Sequence, residues 1–254
     1  MDFIDTHAHL YLPEFDADRG TVLERAKDTG VISILLPAID SQTHVQMVQT
    51  ERQYPQCKAM IGLHPCSVNE HVQEELKEVE NWLKARPFVA IGEIGLDFYW
   101  DTTFTAQQYH AFEQQIQLAL AYQLPIVIHS RNATAECIEV VRRYPGVTGV
   151  FHCFSGTEEQ AKAVIDAGLL LGIGGVITYK NAGLDKIIAA IDLNSVVLET
   201  DAPYLSPAPY RGKRNESSYL KFAAEKIATI KGVSIEKVAE ITTENAKKLF
   251  KLNR

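Results

Sequence analysis

Cysteine is scarce in this chain, with four among 254 residues, and Cys57, Cys66, Cys137 and Cys153 fall at no metal-finger spacing. They are expected to be small buried hydrophobes, kept reduced. A surplus of basic charge is also lacking. Lys and Arg number 25 against 32 Asp and Glu, a net charge of −7, which excludes histone-like coating of nucleic acid but leaves room for a local basic patch gripping a few phosphates. The longest near-apolar stretch, Ala167 to Thr178, is too short and glycine-rich to span a bilayer. The opening Met1–Asp5 has neither the basic nor the apolar part of a secretory signal, so a cytoplasmic protein without a membrane partner is expected. Low-complexity segments and linkers are missing as well, which predicts one domain over residues 1–254 with no obligatory protein partner. No glycine-rich phosphate loop follows the first apolar run; His7-Ala8-His9 stands in its place.

What the chain does contain is a regular alternation. Hydrophobic residues make up 46%, enough for a large core. Short apolar, β-branched runs recur at 3–6, 31–36, 58–63, 89–94, 125–129, 147–151, 169–173 and 196–199. Between them lie segments of helical period, such as 21–28, 73–85 and 109–122, many ending at Gly or Pro: Gly30, Pro55, Pro87, Pro125, Pro145 and Gly168. A long helical segment, 217–252, closes the chain. Eight strand–helix units predict an α/β fold of the (β/α)8 TIM-barrel type rather than an open doubly wound sheet. Gly172, Gly174 and Gly175 are expected to serve close backbone packing.

In such a barrel the carboxyl ends of the strands converge on the active-site face. The polar residues at those ends are His7, His9, His64, Glu93, His129, His152 and Asp201. His7 and His9, two apart on a strand, point the same way. Imidazoles and carboxylates in this number suit two divalent ions, Zn, Mn or Mg, better than one catalytic zinc with its open position. The natural division gives His7, His9 and Asp201 to one ion and His129 and His152 to the other, with Glu93 between them. The centre would stay net positive and complement a phosphodiester or another anion. His44, His71 and His110 lie away from strand ends and are expected on solvated surface.

The chain resembles the TatD family of metal-dependent deoxyribonucleases, within the wider amidohydrolase-like barrel superfamily. The resemblance rests on Asp5-Thr6-His7-Ala8-His9-Leu10, Gly62-Leu63-His64-Pro65, Gly92-Glu93-Ile94-Gly95-Leu96-Asp97, His129-Ser130-Arg131, His152-Cys153-Phe154-Ser155-Gly156, Glu199-Thr200-Asp201-Ala202-Pro203-Tyr204 and Arg211-Gly212-Lys213-Arg214-Asn215-Glu216. It implies a barrel, a one- or two-metal site and hydrolysis of DNA phosphodiesters, often from the 3′ end. The implied metal ligands are His7, His9, Glu93, His129, His152 and Asp201, with His64 a non-ligand near the scissile phosphate. Ser217 stands where many members have Pro, and Trp100 where the residue is often basic.

Under that reading Asp201, Glu93 and His64 carry catalysis. A metal-activated water attacks phosphorus, Asp201 orients it and takes its proton, and His64 serves a phosphate oxygen or the leaving group. Candidate substrate contacts are His64, Arg131, Tyr204, Arg211, Lys213 and Arg214. For Arg131 a phosphate contact and a loop salt bridge both stand. For Glu199 support of a ligand and a structural ion pair both stand. Tyr204, Phe98, Tyr99 and Trp100 either stack on an exposed base or close the barrel top. The alternative chemistry is attack on a carbonyl, by an amidohydrolase, lactonase or aminoacyl-tRNA deacylase.

Overall fold

The computed structural model describes residues 1–252. Eight parallel strands run in chain order: β1 (Phe3–Asp5), β2 (Val31–Leu36), β3 (Cys57–Ala59), β4 (Ile91–Asp97), β5 (Ile126–Arg131), β6 (Gly149–Phe151), β7 (Leu170–Ile173) and β8 (Val196–Leu198). Ladders join consecutive strands from β1 through β3 and from β4 through β8. Single parallel bridges, Ile61 to Ile91 and Ala8 to Ala202, complete the circle. Closure leaves no edge strand, and the fold is the expected (β/α)8 barrel.

Helices follow the strands: α1 (Arg19–Asp28), α2 (Ser41–Gln53), α3 (Val72–Ala85), α4 (Thr105–Tyr122), α5 (Thr134–Arg142), α6 (Glu158–Asp166) and α7 (Leu184–Ala190). Their starts have local causes. Asp40 and Thr157 form capping boxes with Thr43 and Gln160 at the heads of α2 and α6. The predicted helical tail, 217–252, is two helices, α8 (Leu220–Lys231) and α9 (Ile235–Phe250). Gly232, at φ 65°, turns the chain between them in the left-handed conformation that glycine adopts without steric cost. The third strand is shorter than expected, ending at Ala59; beyond it only Ile61 keeps a bridge to its neighbour. No helix among the described residues is long and apolar enough to cross a membrane.

Two separate apolar clusters explain how the barrel positions a site. The larger lies between strands and helices. The smaller gathers Ile4, Leu35, Met60, Ala90, Val127, Val150 and Val197 with Ala246 and Phe250 of α9. Side chains drawn from so many strands meet only inside the barrel, so this cluster fills the lumen. Strand side chains repeat every two residues. His129, His152 and Glu199 therefore stand directly above Val127, Val150 and Val197, on the same inward face but one layer nearer the carboxyl end. The dry floor below is what allows a dense polar layer above.

Candidate metal centre

The seven strand-end residues meet in one cluster around Glu93, which is buried. Its two oxygens face different partners. Oε2 lies 3.1 Å from His7 Nε2 and 3.7 Å from His9 Nε2. Oε1 lies 2.9 Å from His129 Nδ1, 3.4 Å from His64 Nε2 and 3.7 Å from His152 Nε2. Asp201 Oδ1 stands 3.7 Å from both His7 and His9 Nε2 and 3.8 Å from His152 Nε2. Asp201 itself holds a left-handed backbone, φ 58°, an uncommon state for a residue with a side chain and one found at functional sites. His7, His9 and Asp201 offer ligand atoms within 4.8 Å of one another, and so do His7, Glu93 and His152. His129 groups instead with His64 and Cys66, and a fourth group joins His152, Cys153 and Glu199.

Whether these residues suit a metal ion is tested by their unmet polar atoms. Both ring nitrogens of His7, with His152 Nδ1 and Glu199 Oε2, are buried without hydrogen-bond partners. His152 Nδ1 is 3.1 Å from Glu199 Oε1 yet off-line for a hydrogen bond. The His7 and His152 rings stack with centroids 3.4 Å apart and planes 14° from parallel. Such orphaned polar atoms are costly without a partner, and a cation would satisfy their lone pairs. Burial lowers the basicity of His7, His9 and His152, favouring the neutral form a metal needs. At His9 the tautomer follows from its neighbour. Tyr11 donates its hydroxyl hydrogen to Pro37 O at 2.8 Å, so at 3.2 Å it can only accept from His9 Nδ1–H. His9 Nε2 is thereby left unprotonated toward Glu93 and Asp201. The donor set fits divalent ions.

His129 differs. Its Nδ1 meets Glu93 and its Nε2 meets Asp97 Oδ2 at 2.7 Å. Burial opposes its charge, but the hydrogen bonds to Asp97 and Glu93 prevail and raise its pKa to about 9. His129 must shed a proton before Nδ1 can ligate. Glu93 is itself pushed up by burial, yet His64, His7 and His152 hold it well below the usual carboxylate range.

Several supports lie outside the predicted set. Asp97, at the end of β4, is buried, and its Oδ1 accepts from the backbone N–H groups of Tyr99 and Trp100. Its place four residues after Glu93 on one strand was the available signal. Buried Asp5 accepts from Thr200 Oγ1 at 2.6 Å, from Thr200 N at 3.0 Å and from His7 N at 3.3 Å, locking the His7 and Asp201 segments together. Glu199 accepts from Cys153 N and faces His152, and it pairs with no Lys or Arg among the described residues.

Gly172 makes room for that carboxylate, since a Cβ there would collide with it, and Gly174 and Gly175 likewise abut Glu199 and the 205–207 backbone. Gly172→Ala is expected to cost about 1–3 kcal/mol through overpacking. It should also weaken metal retention by displacing Glu199 from His152. Denaturant unfolding and metal content after dialysis measure both effects.

The expected substrate contacts divide. His64 and Tyr204 line the centre, Tyr204 with its ring 6.1 Å from His9. Arg131 lies with its guanidinium carbon 3.9 Å from the Tyr99 ring centroid and 5.3 Å from that of Trp100. Arg214 is turned onto Asp18, 2.8 and 2.7 Å from its two oxygens, and so clamps the loop after β8 to the N-cap of α1. Arg211 lies over the Tyr179 ring at 4.5 Å, while Lys213 is exposed. His71 and His110 are on the surface, but His44 is not. It is fully buried, 3.2 Å from Gly62 O, on the inner face of α2. Cys66 is exposed, and Cys153 is half-buried.

The chain is similar along nearly its whole length to known proteins. A family model described as TatD related DNase matches residues 4–251. The chain is 39% identical to the uncharacterized metal-dependent hydrolase YabD of Bacillus subtilis, over 98% of this chain and 99% of that protein. It is 34% identical to the 3'-5' ssDNA/RNA exonuclease TatD of Pantoea vagans, over 98% and 99%. The crystal structure of YjjV, a TatD homologue from Escherichia coli K12, superposes with a TM-score of 0.94 at 31% identity, covering 99% of this chain and 98% of that one. The chain belongs to the TatD-related DNase family of metal-dependent hydrolases.

Proposed function

We propose that this protein is a metal-dependent nuclease that hydrolyses DNA phosphodiesters, working 3′ to 5′ on single-stranded ends. The observation that carries the proposal is Glu93. One carboxylate directs one oxygen at His7 and His9 and the other at His129, His64 and His152. That is the disposition suited to a pair of cations sharing a ligand. A relative aligned along nearly the whole chain is named as an exonuclease of single-stranded DNA and RNA.

His7, His9 and Asp201 would hold one divalent ion and His152 and His129 the second, with Glu93 common to both; Zn, Mn and Mg all accept such ligands. Bound ions would supply a water of lowered pKa and positive charge opposite the phosphate. The remaining work falls to side chains. Asp201, kept ionised by the bound ions, would accept the proton of that water. Its Oδ1 is turned to the imidazoles, which leaves Oδ2 to take that proton. Cys66 N donates to His64 Nδ1 at 3.0 Å, so neutral His64 carries its proton on Nε2, facing the cleft. From there it donates to a phosphate oxygen or to the leaving oxygen.

The test is shortening of end-labelled single-stranded DNA by purified protein with Mg²⁺, Mn²⁺ or Zn²⁺, stopped by chelator. Turnover of carboxylic esters, lactones or aminoacyl-tRNA with intact DNA would replace the nuclease by a carbonyl hydrolase. His64→Ala is expected to keep its metal content and lose about a hundredfold to ten-thousandfold in rate, as read by metal analysis beside single-turnover cleavage.

A further inference from the structure

We propose that Trp100, Tyr99 and Arg131 form a nucleobase platform at the rim of the metal centre, on which one base of a single-stranded DNA end stacks. The proposal rests on the nuclease reading above and specifies how that site holds its substrate.

Three observations carry it. The first is exposure. Trp100 is 68% exposed and Tyr99 52%, on the loop leaving β4, whereas the preceding Phe98 packs against the core with Tyr109, ring centroids 6.1 Å apart. Phe98 is therefore held in the core between strands and helices, and the next two rings are left turned outward. Large rings this open contribute little to the core and offer π faces to a ligand.

The second is order. Asp97 Oδ1 takes the Tyr99 N–H at 2.9 Å and the Trp100 N–H at 3.0 Å, fixing the turn that presents the rings. The rings meet edge to face at 5.0 Å, and the Arg131 guanidinium lies over Tyr99 and beside Trp100. A base that finds these groups already arranged loses less entropy on binding.

The third is position. Asp97 pairs with Arg131 in the β4–β5 ladder, two residues beyond His129, and Asp97 Oδ2 is bound to His129 Nε2. One carboxylate thus ties the platform to the polar cluster. Across the cluster Tyr204 is 49% exposed beside His9. A strand laid over the centre meets a ring on either side.

The chemistry of the three groups selects the occupant. A nucleotide joins a planar π system to an anion, and the platform joins planar π systems to a guanidinium whose N–H groups, unpaired among the described residues, can take phosphate. In a chain of net charge −7, stacking also supplies attraction that does not depend on a broad basic surface. Duplex DNA, with its bases already stacked on one another, has no free face to offer.

The experiment uses the full chain with Trp82→Phe, which leaves Trp100 as its only tryptophan. Under chelator, so that nothing is cleaved, oligo(dT) is expected to quench Trp100 fluorescence, and an abasic oligomer of equal length and charge is not. Trp100→Ala should weaken oligo(dT) binding about tenfold, with KM rising more than kcat falls once metal is restored. Trp100→Phe should recover most of the loss, and the melting temperature should not move. Equal binding of abasic and oligo(dT) strands, or wild-type affinity in Trp100→Ala, overturns the platform. Cleavage that persists with wild-type KM in Trp100→Ala would leave the nuclease standing without it. Base-dependent quenching in a protein that cleaves no DNA would keep the platform and remove the nuclease.

Discussion

Asp201→Asn is expected to lower hydrolytic turnover about a hundredfold to ten-thousandfold while leaving the fold intact. The contrast follows from how Asp201 is held. Its backbone is fixed from outside the side chain: Asp201 N donates to His7 O at 2.9 Å, and Tyr204 N donates to Asp201 O at 2.8 Å. Asn also tolerates the left-handed conformation at φ 58°. The carboxylate contributes charge, not packing. Asn keeps the shape but removes both the anion that faces His7, His9 and His152 and the oxygen able to accept a proton. Because burial has already raised the Asp201 pKa to about 7, losing that charge costs the folded state little. Single-turnover cleavage at saturating metal, beside thermal unfolding, measures the two halves. A variant that cleaves at the parental rate would remove Asp201 from the chemistry.

Much of this arrangement was readable from the chain because the barrel maps sequence order onto space. Each apolar run ends where the active face begins, so His7, His64, Glu93, His129 and His152 could be assigned to one cluster by position alone. What escaped was decided by contacts between segments. Asp97 lies on the same strand as Glu93, but only the β4–β5 register places it against His129 Nε2. Tyr11 sets the His9 tautomer through a bond to Pro37, 26 residues away. Asp5 gains its meaning from Thr200 at the far end of the chain. His44 was expected on the surface because it lies away from the strand ends, yet α2 turns it inward onto Gly62 O. Charge runs were equally ambiguous. Of the basic cluster after β8, Arg214 is held by Asp18, a partner that no local pattern announces. The break in the helical tail, by contrast, was marked by Gly232, and only the count of helices was missed.

Adding divalent metal to chelator-treated protein at pH 8 is expected to raise the melting temperature by about 10 °C. Metal at a thousand times its Kd contributes about 4 kcal/mol, and a domain of this size gains about 2–4 °C per kcal/mol. The polar layer gives the effect its pH dependence. Burial raises both Asp201 and Glu199 to about 7. A carboxyl group whose folded pKa is raised is neutral and unstrained at low pH. Its cost accrues from the unfolded value upward and is complete once pH passes about 7. His129, raised to about 9, adds stability below its unfolded value that is lost as pH rises through 9. All three groups therefore make the metal-free protein less stable as pH climbs from 4 to 9. Metal acts in the opposite sense. Below pH 9 it must displace a proton from His129 and below pH 7 one from Asp201 as well, so its apparent affinity should fall about tenfold per pH unit and then about a hundredfold. The metal-induced rise in melting temperature should accordingly be larger at pH 8 than at pH 5.5, where it should be small. His7→Ala, which removes the imidazole shared by two of the donor groups, should cut it by at least half at both. An equal rise at the two pH values, or one that His7→Ala leaves undiminished, would place the stabilising metal somewhere other than this cluster.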